Sequence, residues 1–350
     1  MDGPNLDPRD QSPADFLERA RQLSLSPRHA RRWLAQVVGK GECDLAECSR
    51  RGILPRRFLE KTRELSRLRL EKQIVSKASK FQKLVFRTAD ERVVECVLIP
   101  LHRSGAVSIC LSSQIGCVMR CRFCATGRMR VQRDLQTWEI VDQFVQARAI
   151  VRREGRHVTG AVFMGMGEPF LNYDRVLAAA QILSFPVEAA IGAEAITIST
   201  VGLVPQIEKF TSEGRRFRLS ISLGAATDEK RKLLLPVASR TPVAEIMEAA
   251  RRYAKSRHAR VMLSYVSISG LNVSEDDARA LGDLIRDTPV RLDLIDVDDP
   301  TGRYLAPAAA ELNRFRDALR RYVGQPVVRR YSGGSDIGAA CGALGSDQIP

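Results

Sequence analysis

Residues 107–124 read Val-Ser-Ile-Cys-Leu-Ser-Ser-Gln-Ile-Gly-Cys-Val-Met-Arg-Cys-Arg-Phe-Cys, and this stretch decides the fold class. Its first part, 107–111, is rich in apolar residues and predicts a β-strand. Cys117, Cys121 and Cys124 come directly after it with the spacing Cys-x3-Cys-x2-Cys. Three thiolates on one short loop are typical ligands of a soft metal or an iron–sulfur cluster. The stretch therefore predicts a strand that ends in a metal-binding loop.

Five more strands are predicted downstream, and helical stretches or long connections separate most of them. They cover residues 161–164, 195–199, 217–222, 261–266 and 290–295. Strands that alternate with helices indicate a parallel sheet, so six such repeats favour an α/β barrel or a doubly wound sheet. In either architecture the functional site lies at the C-terminal ends of the strands.

Upstream of the first barrel strand the pattern changes. Residues 84–86 and 93–99 are β-rich and predict a hairpin. The first 75 or so residues are predicted to be helical, because Ser12-Pro13 and Ser26-Pro27 each place an N-cap residue before a proline at the first helical position.

These patterns divide the chain into four predicted parts. We expect a basic helical accessory domain over 1–78 and a hairpin linker carrying Glu95 over 79–104. A barrel over 105–300 and a C-terminal segment carrying Cys341 over 301–350 complete the chain.

The composition excludes several classes of protein. With 44% apolar residues the 350-residue chain is expected to fold, and no run of about 18 apolar residues predicts a membrane helix. The acidic start, Met1-Asp2-Gly3, does not resemble a signal peptide. We therefore expect a cytoplasmic protein in a reducing compartment, where eight cysteines are no disulfide framework.

The net charge of +14 is concentrated in one part of the chain. Residues 50–80 hold eleven Lys or Arg and three Glu, a net +8. This basic patch is either a solvated face or a surface that follows the phosphates of a nucleic acid. Charge alone does not distinguish RNA from another polyanion.

The metal at the cysteine loop has two interpretations. A structural zinc ion takes four ligands, so His102 or His157 would have to join the three cysteines. Three thiolates alone suit a [4Fe-4S] cluster with one iron left open.

The loop Cys117-Val-Met-Arg-Cys121-Arg-Phe-Cys124 matches the radical S-adenosylmethionine (radical SAM) signature. Four further blocks surround it in the chain. They are Ser112-Ser113-Gln114-Ile115-Gly116 with Ala125-Thr126-Gly127, then residues 163–169 (Phe-Met-Gly-Met-Gly-Glu-Pro), 198–205 (Ile-Ser-Thr-Val-Gly-Leu-Val-Pro) and 336–342 (Asp-Ile-Gly-Ala-Ala-Cys-Gly). Together they resemble the RlmN/Cfr family of radical SAM RNA adenine methyltransferases. The resemblance implies a partial (β/α)6 barrel, which agrees with the six predicted strands.

The resemblance also implies the cofactors. A [4Fe-4S] cluster would be held by the three cysteines of the loop, and two molecules of S-adenosylmethionine would be used per turnover. The residues that match contacts to S-adenosylmethionine are Gly167, Glu168, Ser199, Ser222, Leu223, Gly224 and Asp293.

In the implied reaction, Cys341 is methylated by one S-adenosylmethionine and a radical from the second removes hydrogen from its S-methyl group. The methylene radical adds to an adenine carbon, Glu95 removes the ring proton, and Cys110 forms a disulfide with Cys341 to release the product. Each residue also has a plain alternative: the two cysteines can be core thiols, and Glu95 can be an edge-strand glutamate that faces water.

The chain departs from the family pattern in three places. Gly224 stands where a histidine is usual, and Ser264 stands where a glutamate is usual. Asp293 replaces an asparagine, and Asp296, Asp298 and Asp299 follow it. Four carboxylates near the C-terminal end of a strand would repel nucleic acid unless they face away from it, so these changes concern the substrate more than the reaction type.

We therefore expect a monomeric, cytoplasmic methyltransferase of an adenine ring carbon, 2 or 8, in ribosomal RNA or tRNA. A low-potential donor such as flavodoxin or ferredoxin would reduce the cluster. One alternative keeps the methyl-cysteine chemistry for another RNA or a small aromatic molecule, and another is a zinc-dependent RNA-binding protein without catalysis.

Overall fold

The computed structural model describes residues 6–41, 44–59, 62, 64–186, 191–299, 301–330 and 332–346. Its strands, in chain order, are β1 Arg69–Val75, β2 Gln82–Arg87, β3 Val93–Pro100, β4 Ala106–Cys110, β5 Gln114–Ile115, β6 Arg133–Asp134, β7 His157–Phe163, β8 Ile196–Thr200, β9 Arg218–Ser222, β10 Val261–Ser267, β11 Val290–Asp296 and β12 Val327–Arg330.

The α-helices, in the same order, are α1 Pro13–Gln22, α2 Pro27–Leu34, α3 Leu45–Arg50, α4 Arg56–Leu59, α5 Ala125–Arg128, α6 Thr137–Arg153, α7 Tyr173–Ser184, α8 Val204–Ser212, α9 Asp228–Leu234, α10 Val243–Arg257, α11 Glu275–Ile285 and α12 Ala309–Tyr322. A π-helical turn, Ala35–Lys40, continues α2. Among the described residues, no helix is both long and apolar enough to cross a membrane.

One ten-stranded sheet organises the chain, in the order β1-β2-β3-β4-β7-β8-β9-β10-β11-β12. Within this sheet the seven strands β4, β7, β8, β9, β10, β11 and β12 are parallel to one another. The short strands β5 and β6 form a separate antiparallel pair. Alternate residues of the parallel strands line one large cavity, so the sheet curves around it as a partial barrel does. The predicted α/β architecture is confirmed, with all six predicted strands in place.

The sequence missed the seventh parallel strand, β12. Its four residues, Val-Val-Arg-Arg, lie at the edge of the sheet and are exposed or half-buried, so they lack the apolar pattern of a buried strand. Its parallel pairing with β11 joins Leu292 to Val327 and Ile295 to Arg330. This strand matters for the site because it brings arginines to the cavity.

The predicted helical character of the first 75 or so residues is wrong at its C-terminal end. The described helices of this region end at Leu59, and Arg69–Val75 forms β1, which pairs antiparallel with β2. The strand was missed because it is an exposed edge strand in which charged residues obscure the period of two. The predicted hairpin is confirmed as β2–β3 and forms part of an antiparallel meander, β1 to β4.

The N-terminal helices pack directly on the barrel. The serines of Ser12-Pro13 and Ser26-Pro27 cap α1 and α2 as predicted, each accepting a hydrogen bond from a backbone N–H. Apolar side chains of these helices, including Phe16 and Trp33, belong to the same continuous core as the sheet. Arg9 is fully buried and donates to Asp142 of α6 at 2.9 Å. A buried ion pair of this kind holds the N-terminal segment to the barrel.

Candidate active site

The three cysteines of the signature lie on the loop between β5 and α5, at the C-terminal end of the parallel strands. Cys117 is buried, and Cys121 and Cys124 are half-buried. Helix α5 packs closely on this loop, since a Cβ on Gly127 would come within 2.8 Å of the carbonyl oxygen of Cys121. Only a glycine allows that approach, which explains the block Ala125-Thr126-Gly127 after the signature.

The two histidines considered as zinc ligands lie far from this loop along the strands. His157 begins β7 and pairs in register with Ala106, the first residue of β4. His102 is exposed in the turn before β4. Both therefore lie at the N-terminal ends of the strands, whereas the cysteines follow the C-terminal ends. Neither histidine can complete a zinc site with them.

A cavity of about 150 Å³ opens over the cysteine loop. Its lining includes all three cysteines and five of the residues predicted to contact S-adenosylmethionine, which are Gly167, Glu168, Ser199, Ser222 and Gly224. Leu223 and Asp293, both fully buried, are not among its lining residues. Three thiols facing a cavity edged by strand-end glycines fit an iron–sulfur cluster beside an amino-acid ligand. We call this the cofactor cavity.

Glu168 is a buried carboxylate in the wall of the cofactor cavity, with 3% of its surface exposed. Its Oε2 accepts the N–H of Val201 at 2.9 Å, and its Oε1 accepts the N–H of Phe170 at 3.0 Å. Burial raises the pKa of Glu168 to about 7, and the two backbone N–H groups oppose that rise. The carboxyl is therefore fixed in place and titrates near neutral pH.

Gly224, which replaces the family's usual histidine, has a backbone conformation that requires glycine. Its φ is +77°, in the left-handed region, and a Cβ would come within 2.8 Å of the Leu235 side chain. Leu235 lines the same cavity. In this chain a leucine from another segment thus occupies the space beside position 224, and a histidine could not be accommodated without moving it.

The carboxylates in the second half of β11 and directly after it are largely neutralised by arginines. Both carboxylate oxygens of Asp293 accept from Arg291, at 2.8 and 2.9 Å. Two further pairs join Asp296 to Arg329 at 2.6 Å and Asp299 to Arg128 at 3.2 Å. The expected repulsion of nucleic acid by this segment is therefore mostly removed. The acidic segment then no longer favours the alternative in which the methyl group goes to a small aromatic molecule or another RNA.

A second, larger cavity of about 890 Å³ fills the interior of the partial barrel. Its lining includes Cys110 at the end of β4, Cys341 and a set of cationic side chains, which are Lys80, Arg218, Arg291, Arg329 and Arg330. We call it the barrel cavity. It shares part of its wall with the cofactor cavity, including Cys124, Met164, Cys341 and Gly342. Cys341 therefore lies where the two cavities meet.

The C-terminal segment is hydrogen-bonded across the cysteine loop. The N–H of Ala125 donates to the carbonyl of Gly342 at 2.6 Å, and the hydroxyl of Thr126 donates to the carbonyl of Leu344 at 2.7 Å. On the other side of the segment, the N–H of Cys341 donates to Ser332 Oγ at 3.0 Å. These contacts fix residues 341–344 against α5, so the position of Cys341 depends on the cysteine loop.

Cys341 and Cys110, the two cysteines with predicted catalytic roles, differ in environment. Cys341 is exposed to the cavities, whereas Cys110 is buried, with 8% of its surface exposed. The pKa of the Cys110 thiol is raised to about 12, mainly by burial and to a smaller extent by the nearby Cys341. The charge of Arg330 opposes this rise. The two thiols are therefore close enough to influence one another.

Glu95 lies behind the C-terminal segment. It is buried, its Oε2 accepts the N–H of Gly345 at 2.9 Å, and Lys83 Nζ lies 3.8 Å from its Oε1. Glu95 is not among the described lining residues of either cavity. Its carboxylate thus has a structural contact with the segment that carries Cys341, and its role as a base stays a prediction.

Some site residues could not be found from the sequence. Arg330 donates to Met164 Sδ at 3.2 Å and lies 4.0 Å from Asp293, but it belongs to the strand that the sequence pattern does not reveal. Arg231 is fully buried behind the cofactor cavity. It lies in a short helix with five charged residues, a composition typical of an exposed helix, so its burial could not be predicted.

Comparison with known proteins agrees with this geometry. The family model of the radical SAM superfamily matches residues 111–283. A protein of Anaeromyxobacter sp. (strain Fw109-5) named "Probable RNA methyltransferase" is 45% identical over 93% of this chain and 96% of its own length. A Moorella thermoacetica protein named "Probable dual-specificity RNA methyltransferase RlmN" is 36% identical over 97% of both chains.

Among solved structures, a radical SAM methyltransferase from Sphaerobacter thermophilus superposes with a TM-score of 0.87 at 34% identity, over 96% of this chain and 98% of that one. Similarity of this extent covers the N-terminal helices, the barrel and the C-terminal segment together. The chain therefore belongs to the radical SAM superfamily and, within it, to the family of RlmN-type RNA methyltransferases.

Proposed function

We propose that this enzyme methylates an adenine ring carbon, 2 or 8, of ribosomal RNA or tRNA through an S-methyl group carried on Cys341. The observation that carries the proposal is the position of Cys341, in the shared wall of the cofactor cavity and the barrel cavity. A side chain at this junction can receive a methyl group on one side and deliver it on the other.

The superfamily implies a [4Fe-4S] cluster and S-adenosylmethionine. Cys117, Cys121 and Cys124 would hold the cluster, and Glu168 would accept hydrogen bonds from the amino group of S-adenosylmethionine in the cofactor cavity. Bound there, these groups supply a methyl group and a carbon-centred radical. Two molecules of S-adenosylmethionine per turnover, and a flavodoxin- or ferredoxin-type electron donor, belong to the same proposal.

Cys341 and Cys110 have complementary roles in the proposal. The exposed Cys341 sulfur carries the methyl carbon that bonds to adenine, which links protein and RNA covalently. Once the ring proton has been removed and the unpaired electron returned to the cluster, the Cys110 thiolate attacks the Cys341 sulfur: the S–S bond forms, the S–CH2 bond breaks and the released carbon takes up a proton to become the methyl group. A reductant must then reopen the Cys110–Cys341 disulfide before the next turnover. The position of the two thiols in the wall of one cavity supports this assignment.

The cationic lining of the barrel cavity suits a polyanionic substrate, and the basic patch 50–80 extends the positive charge on the surface. Within the described part of the patch, Arg56 and Arg57 are exposed on α4, and Arg67 is exposed before β1. Arg69 is paired with Glu91 at 3.1 Å. Glu60, Lys61 and Arg63 lie outside the described residues.

The proposal predicts that Cys341→Ala abolishes RNA methylation. The gene should be expressed in a host that lacks such an enzyme, and methyladenosine in ribosomal and transfer RNA quantified by mass spectrometry. The wild-type enzyme should add methyladenosine, and Cys341→Ala should add none. Cys48→Ala, which alters a buried cysteine of α3, is the matched control and should keep the modification. Wild-type levels of methylation by Cys341→Ala would contradict the proposal.

The pKa of Glu168 predicts a pH-dependent affinity for S-adenosylmethionine. The carboxyl is mostly protonated at pH 6 and mostly ionised at pH 8, and the ionised form is the better acceptor. Relative to Glu168→Gln, the wild-type affinity should therefore rise about tenfold between these two pH values. Equilibrium binding to the reconstituted protein measures this ratio. Glu139→Gln, which removes a buried carboxylate in α6, should keep the wild-type profile, and parallel profiles for all three proteins would refute the assignment.

The basic patch should contribute phosphate contacts. Replacing Arg56, Arg57, Arg67 and Arg69 with Ala should weaken RNA binding and flatten the plot of log affinity against log salt by about 0.7–0.9 per lost contact. A control with the same change of charge replaces four exposed arginines that pair within their own helices, namely Arg21, Arg251, Arg286 and Arg320. An equal change of slope in both variants would show that the patch has no specific contact with RNA.

A further inference from the structure

Arg231, on α9, is a buried cation directly behind the cofactor cavity. None of its surface is exposed. Its Nε donates to the carbonyl of Leu223 at 3.1 Å, its Nη1 donates to the carbonyl of Ala238 at 3.2 Å, and its Nη2 donates to the carbonyl of Val201. Leu223 follows β9 and Val201 follows β8, so one guanidinium joins two strand ends that form the cavity wall.

The charge of Arg231 has no carboxylate in contact. Within the described chain no acidic side chain forms an ion pair with it, and Asp228, one turn earlier on α9, accepts instead from the N–H of Val243 at 2.7 Å. Burial lowers the pKa of Arg231 to about 10, so the group is still protonated at neutral pH. The charge of Asp228 favours the protonated form from a distance, but the hydrogen bonds of the guanidinium are to carbonyls alone. A buried charge held in this way is costly, and a further negative group nearby would offset that cost.

The negative group that the site offers is the cysteine loop. The N–H of Arg122 donates to the carbonyl of Leu234, the last residue of α9, at 3.0 Å. Leu234 and Leu235 pack with Cys117 and Met119, so the loop rests on the end of the helix that carries Arg231. Val201, whose carbonyl accepts from Arg231, lines the cofactor cavity together with Cys117 and Cys121.

We propose that Arg231 is the electrostatic partner of the cluster: it positions the ends of β8 and β9 and raises the cluster's reduction potential. A [4Fe-4S]²⁺ core with three thiolates carries a net charge of −1, and adding one electron makes it −2. A fixed positive charge stabilises the −2 form more than the −1 form, and net charge near the cluster is one of the factors that set its potential. Arg231 is a positioning residue, because its described hydrogen bonds are to backbone carbonyls and it is not among the residues that line the cofactor cavity.

The inference rests on cluster binding by the three cysteines and on neither the RNA substrate nor Cys341. Its failure would therefore leave the proposed methyl transfer untouched. Conversely, a result showing that Cys341 does not carry the methyl group would leave the proposed role of Arg231 beside the cluster unchanged.

The test separates charge from packing by comparing Arg231→Met with Arg231→Lys. Lysine keeps the charge but cannot make the three carbonyl contacts of the guanidinium, whereas methionine keeps the apolar volume and loses the charge. The matched control is Arg148→Met, because Arg148 is also buried and donates to the carbonyls of Val38 and Gly39, beside the N-terminal helices.

The midpoint potential of the reconstituted cluster is measured by EPR-monitored titration with dithionite, together with iron and sulfide content. Arg231→Met should shift the potential to more negative values by at least 59 mV, a tenfold change in a one-electron equilibrium. Arg231→Lys and Arg148→Met should stay within that limit.

Every outcome decides the proposal. If Arg231→Met holds no cluster while Arg231→Lys does, the charge is needed for cluster retention and the proposal stands. If the two Arg231 variants behave alike, in potential or in cluster content, the role of Arg231 is packing alone and the proposal is wrong. An equal shift in Arg148→Met would also overturn it.

Discussion

The hydrogen bonds between the C-terminal segment and the cysteine loop are the constraint on which the site depends. Ala125 follows the last predicted cluster ligand directly, and its N–H holds the carbonyl of Gly342, next to Cys341. Two segments far apart in the chain, 125–126 and 342–344, therefore meet at a few hydrogen bonds. Because these bonds fix Cys341 at the junction of the two cavities, cluster binding and the placement of the proposed methyl carrier form one structural unit.

Charge is arranged in a similar way around this unit. The acidic segment 293–299, at the end of β11 and after it, looks unfavourable for nucleic acid in the sequence, yet arginines from β11, β12 and α5 pair with three of its four carboxylates. Further arginines line the barrel cavity, and Arg231 lies behind the cofactor cavity. Cationic side chains thus line the barrel cavity, although two of them, Arg291 and Arg329, are paired with aspartates.

Local patterns made much of the fold predictable. The six strands and the cysteine loop follow from short apolar runs and spacing, because each is determined by residues adjacent in sequence. Edge strands were not predictable in this way: β1 and β12 are exposed, so their side chains carry no alternation of apolar and polar residues that burial would impose.

Contacts between segments far apart in the chain could not be predicted from local sequence patterns either. The pair Arg128–Asp299 and the bond from Gly345 to Glu95 join residues far apart in the chain.

The most direct test of the central claim, that Cys341 carries the methyl carbon to RNA, is to trap the covalent intermediate. Incubated with substrate RNA, Cys110→Ala should accumulate a protein–RNA adduct, and peptide mass spectrometry should locate the nucleotide on Cys341. Release of methylated RNA by Cys110→Ala at the wild-type rate, or an adduct on another residue, would contradict the account.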